Sequence, residues 1–167
     1  MSVEHSTFTL QRDYPQPVAA VFAAWSDQAT KRRWFDLAEP RGEHHLDFRE
    51  GGRETYRSAA GTRPAYAYDA TYLDIVPGTR IVSASTISAD GRRVSASLAT
   101  VEFTATPGGT RLVLTEHGAY LDGLDTPDSR RRGTTTQLDA LGGVLTSGED
   151  GDHGHVRDHR LRGPAGL

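Results

Sequence analysis

Glu116 is the residue best placed by type and spacing to do chemistry. It alternates with Leu112 and Leu114, so the three side chains share the buried face of a strand. A carboxylate in such a place is costly unless paired, and burial raises its pKa. It can hold a ligand hydroxyl, act as a general acid or base, or pair with an arginine at the rim. Tyr66, Tyr68 and Tyr72 also alternate on one strand face. Their hydroxyls on rigid rings suit a pocket for a molecule with an apolar body and a polar edge, although alternation alone does not say which face is inward, and ordinary packing or surface cover is the other reading. Arg53 and Arg57 share a face on the preceding strand, where Asp47 and Asp69 are the expected partners ahead of an anionic ligand. His44 and His45 are neighbours on a strand and point to opposite faces, as do Glu116 and His117, so neither pair builds one small site. His153, His155 and His159 lie with Asp150, Asp152 and Asp158 in a stretch with no expected scaffold, and no physiological metal site is assigned to them. No catalytic residue and no cofactor is assigned.

Those side chains must be positioned by a sheet and one long helix. Ser6 to Tyr14 reads as a strand, with Phe8 and Leu10 on one face and Thr7 and Thr9 on the other. Pro17 precedes a helix carrying Val18, Val21, Phe22 and Trp25, and Ser26 or Asp27 can cap a second short helix with Trp34 and Phe35 on its apolar side. Lys31, Arg32 and Arg33 are expected on the wet side of that corner. From Glu43 to His117, short alternating runs are separated by turn signals at Gly51-Gly52, Pro77-Gly78, Asp90-Gly91 and Pro107 to Gly109, which predicts an antiparallel meander. The period then changes. Asp125 or Thr126 can cap a helix with Pro127 in its first turn and with Leu138, Leu141 and Leu145 on one face. Gly142 and Gly143 place its expected end near Gly143 or Leu145, and the arginines at 130 to 132 read as a solvated helix face.

Composition narrows the classes of function. The chain has 167 residues, enough for one domain with a core, and a formal net charge of −3, which gives no positive field for nucleic acid. There is no cysteine, so disulfides and thiolate chemistry are excluded. No run approaches the roughly 18 apolar residues of a membrane span, and the first residues lack a secretory pattern, so the expected location is cytoplasmic. Phosphate-loop and nucleophile-elbow motifs are absent.

Four stretches together resemble one family: VFAAWSDQATKRRWF at 21–35, LDFREGGRE at 46–54, YDATYLDIVPGTRIV at 68–82 and ATVEFTATPGGTRLVLTEHGAYLDG at 99–123. They are similar to the family named after the activator of Hsp90 ATPase, within the START/Bet v 1-like (SRPBCC) superfamily, over about residues 6 to 146. The resemblance implies an α+β helix-grip fold: a curved antiparallel β-sheet wrapped around a long C-terminal helix, with two short helices after the first strand. It implies a domain over 1–146, followed by a stretch at 147–167 with few apolar groups that reads as a flexible tail.

The resemblance also implies a cavity between sheet and helix for a small hydrophobic or aromatic molecule. Trp25, Trp34 and Phe35 then fill the core at the helix corner or line the cavity mouth. Relatives often carry tryptophan after the glycine matching Gly133; here it is Thr134, which can leave room near Leu138 for ligand. Many relatives also have a glycine-proline step after Phe35, where this chain has Asp36-Leu37. The candidate ligand-binding residues are therefore Glu116, Tyr66, Tyr68, Tyr72, Trp34, Phe35, Thr134 and Leu138. The leading expectation is a small-molecule binding protein. The alternatives are an enzyme similar to the polyketide cyclases and dehydratases of the superfamily, and a protein-interaction module. The chain lacks the separate chaperone-binding region of the eukaryotic activator, so direct activation of Hsp90 is not expected. Homodimerisation suits a chain of this size, although no stretch identifies an interface.

Overall fold

Alternating side chains are clearest in the long first and last strands, and in the computed structural model seven strands form one antiparallel sheet. The model describes residues 1–161, with side chains as far as residue 148. The order along the chain is β1 (Val3–Tyr14), α1 (Val18–Ser26), α2 (Gln28–Phe35), β2 (Glu43–Leu46), β3 (Arg53–Arg57), β4 (Tyr66–Val76), β5 (Arg80–Ala89), β6 (Arg92–Thr106), β7 (Gly109–Leu121) and α3 (Pro127–Leu161). In space the strands run β1-β7-β6-β5-β4-β3-β2, so the first strand returns to pair with the last. The curved sheet packs against α3, with α1 and α2 between its two ends.

The turns do what their residues require. Asp90 and Gly91 both have positive φ, 48° and 79°, the mirror-image turn that matches strand twist in a two-residue hairpin. A register shift at Tyr72/Asp74 leaves Leu73 exposed while Tyr72 stays buried. Phe8, Leu10 and Tyr14 from β1, Leu112 and Leu114 from β7, and Val101 and Phe103 from β6 share one core, with Phe103 packed against Phe22 and Trp25 of α1. Leu138, Leu141 and Leu145 answer from α3. Each such side chain, once buried, contributes roughly 1.5–3 kcal/mol.

Polar ties fix the helix against this face. The Tyr14 hydroxyl donates to the Leu138 carbonyl at 2.8 Å, Gln137 donates to the Phe35 carbonyl at 2.9 Å, and Arg12 pairs with Asp139 at 3.0 Å. Thr126 caps α3 by accepting from the Ser129 N–H. The helix continues to Leu161, past the end expected at Gly143 or Leu145, because those glycines lower propensity without breaking the hydrogen-bond ladder. The expected tail over 147–167 falls largely on residues whose side chains, from 149, and backbone, from 162, lie outside the described residues.

Asp27 ends α1 and caps α2, accepting from the Thr30 N–H at 2.9 Å. The turn brings Trp25 and Trp34 together with ring centroids 4.6 Å apart, and Trp34 donates to the Ala24 carbonyl at 3.0 Å. The same turn corrects one expectation. Lys31 is not on the wet side of the corner: it lies on the same helix face as Trp34 and is 4% exposed.

Candidate functional site

A cavity of about 660 Å³ lies between the inner sheet face and α3. That is within the usual range for a small-molecule site. Seven aromatic residues line it: Trp25, Trp34, Phe35, Tyr56, Tyr66, Tyr68 and Tyr72. Leu37, Tyr66 and Leu124 also line it and are exposed, which makes an apolar rim. All eight sequence candidates fall on this wall: Glu116, Tyr66, Tyr68, Tyr72, Trp34, Phe35, Thr134 and Leu138. A second concavity, of about 740 Å³, lies on the outer sheet face. It is shallower and open, walled mainly by alanine, serine and threonine, and its Arg53 and Asp69 pair with each other at 3.4 Å.

Two polar clusters meet the cavity. The first is built on Glu54, which β3 turns inward and which is 1% exposed. Lys31 donates to Glu54 Oε1 at 2.5 Å and to the Tyr72 hydroxyl oxygen at 3.3 Å, while the Tyr72 O–H donates to Oε1 at 2.8 Å. His44 Nε2 lies 2.7 Å from Oε2, so an ionised Glu54 places the proton on Nε2. Burial pulls the Glu54 pKa up, but the Lys31 charge and the bonds from His44, Lys31 and Tyr72 outweigh it and hold the group down at about 2. Four aromatic rings surround the Lys31 ammonium, with centroids 5.3–5.9 Å away, and partly replace its lost water.

The second cluster is built on Arg130, which the first turn of α3 aims at the sheet. Its guanidinium donates to Ser95 Oγ at 2.5 Å, Asp125 Oδ2 at 3.2 Å, Glu116 Oε1 at 3.4 Å and Ser97 Oγ at 3.5 Å. Arg130 is therefore not part of a solvated arginine face; its side chain is 12% exposed and spans from helix to sheet. Glu116 is buried, its Oε2 has no partner among the described residues, and burial raises its pKa against the opposing pull of Arg130. Tyr120 packs back over Gly118, where a Cβ would lie 2.7 Å from its ring, so this position of β7 needs glycine. Between the clusters stands Tyr68, whose phenol pKa is pushed well up by burial and then by the charges of Glu54 and Glu116.

Several residues here escape sequence reasoning. Lys31 reads as one of three consecutive basic residues, and only its position three before Trp34 marks the buried face. Glu54 and His44 sit on short strands whose alternation is brief. Asp36 also turns inward: it accepts from the backbone of Ala38 and Gly42 and from the Tyr56 hydroxyl, fixing the loop at the cavity mouth. Arg53 and Arg57 both pair with Asp69, while Asp47 takes Arg49 as its partner. His117 bonds to Thr7 on the outer face, away from Glu116. Among the described residues no group of three or more histidine and carboxylate side chains is placed to hold a metal, and no helix is long and apolar enough to cross a membrane. His153, His155 and His159 lie outside the described side chains.

The family model for activator of Hsp90 ATPase homolog 1-like proteins matches residues 15–146. The chain belongs to this family. A solved protein from Rhizobium leguminosarum is 42% identical over 87% of this chain and 97% of its own, with a TM-score of 0.83. One from Rhizobium loti is 45% identical over 86% of this chain and 99% of its own, with a TM-score of 0.78. The Aeromonas hydrophila AHSA1-like protein, at 20% identity over 86% of this chain and 94% of its own, with a TM-score of 0.65, shares the fold. No curated protein matches the chain. Thr134, Asp36 and Leu37, the positions singled out in the sequence, all fall on the cavity wall.

Proposed function

We propose that this protein binds a small apolar or aromatic molecule in the cavity between the sheet and α3. The single observation behind this reading is the composition of that wall: seven aromatic residues, an exposed apolar rim, and polar groups gathered at two places. Trp34, Phe35 and Leu138 supply the apolar surface, Thr134 leaves volume over the helix, and Tyr66, Tyr68 and Glu116 offer polar contacts. Tyr72 contributes its ring, because its hydroxyl is engaged by Glu54 and Lys31.

A second reading, an enzyme similar to the cyclases and dehydratases of the superfamily, draws on one observation. Two carboxyl groups of opposite acidity share the cavity, an arrangement that suits proton transfer.

Mass measurement under native and then denaturing conditions tests the binding reading on protein purified from its native host. A compound released one-to-one supports it and identifies a molecule to assay for turnover. Repeatedly empty protein that also takes up no aromatic probe contradicts it.

A further inference from the structure

The binding reading leaves open what chemical head a ligand presents, and the cluster around Arg130 bears on that. Arg130 faces two carboxyl groups, Glu116 and Asp125, so this end of the cavity holds one more acid than base. The guanidinium is already used: it reaches Ser95, Ser97, Asp125 and Glu116 Oε1. Glu116 Oε2 is the opposite case. It is buried on the cavity wall and has no partner among the described residues. A buried oxygen left without a hydrogen bond is costly, so the site gains from any incoming donor.

An anionic head would meet the surplus carboxyl group and find the arginine occupied. An ammonium head would satisfy Glu116 but would be buried beside the Arg130 guanidinium, 3.4 Å from the same carboxyl group. A hydroxyl brings the missing donor without a second buried charge. Resting on the binding reading above, we infer that the ligand is an aromatic or apolar molecule with a neutral hydroxyl group that donates to Glu116 Oε2, and that the cavity rejects carboxylate-headed molecules of the same shape.

Calorimetric titration at neutral pH with four probes of one body tests this: naphthalene, a naphthol, a naphthylmethylamine and a naphthoate. Naphthol binds most tightly, at least about tenfold better than naphthoate, as expected for one hydrogen bond to a buried carboxyl oxygen that otherwise has no partner. In Glu116→Gln, whose amide can also donate, the naphthol preference over naphthoate shrinks to about threefold or less. The wild-type ranking needs no variant, so a Glu116→Gln chain that fails to fold does not remove the test. Naphthoate binding as well as naphthol, the amine binding best, or an unchanged preference in a folded Glu116→Gln each overturns the inference. Naphthalene binding with no hydroxyl preference overturns this inference alone. Binding of none of the four overturns the cavity reading with it.

Discussion

Glu54 and Glu116 reach one cavity from β3 and β7, and their surroundings pull their acidities in opposite directions. Glu54 is held down at about 2 because Lys31, His44 and Tyr72 outweigh its burial. Glu116 is pushed up because burial outweighs a long contact to Arg130. The signs for stability follow. Glu54 contributes stability that is present above the ordinary carboxylate range and is lost as pH falls through about 2. Glu116 contributes stability that is present below the ordinary range and is lost as pH rises through its raised pKa.

Glu116→Gln therefore removes a pH dependence. Over the window that opens as pH rises above the ordinary carboxylate range, urea denaturation should show the wild type losing stability relative to the variant. Parallel curves over that window would count against a raised Glu116.

Lys31→Met should destabilise the protein by about 3–5 kcal/mol, because it leaves the Glu54 charge buried without its ammonium. The double variant Lys31→Met, Glu54→Gln should recover much of that loss, since the uncompensated charge is gone. Guanidinium denaturation of the three proteins measures the coupling. A Lys31→Met cost below about 1 kcal/mol, the size of a surface pair, contradicts the buried-pair account.

Gly143 lies on the exposed side of α3, and a Cβ there meets nothing within 4 Å. Gly143→Ala should raise stability by about 0.5–1 kcal/mol through helix propensity and a less flexible unfolded chain. A lower melting temperature for the variant would show that the position is crowded or non-helical.

How much of this is legible in the sequence depends on how many neighbours a pattern has to agree with. Phe8 and Leu10, Leu112 and Leu114, and Leu138 and Leu141 repeat over several turns or pleats, so their faces are plain from the residue order alone. Glu116 inherits its inward direction from Leu112 and Leu114 in the same way. Lys31 has no such support: the face it shares with Trp34 is set by a short helix packing across the sheet end, and its partner Glu54 is 23 residues away on another element. Arg130 misleads for a related reason. In sequence it is one of three arginines, and only the docking of α3 separates it from Arg132, which is exposed. The cavity is expected from family resemblance and from Thr134, because no local pattern reports a volume left between two elements.

The most direct measurement of the central claim is calorimetric titration of naphthol into the wild type and Thr134→Trp. Thr134 lines the cavity from α3, so an indole there occupies the space in which a ligand would sit. The account predicts saturable one-to-one binding to the wild type, and its loss in a Thr134→Trp protein that melts no lower. Equal binding to both proteins would place the molecule elsewhere and contradict a ligand site between sheet and helix.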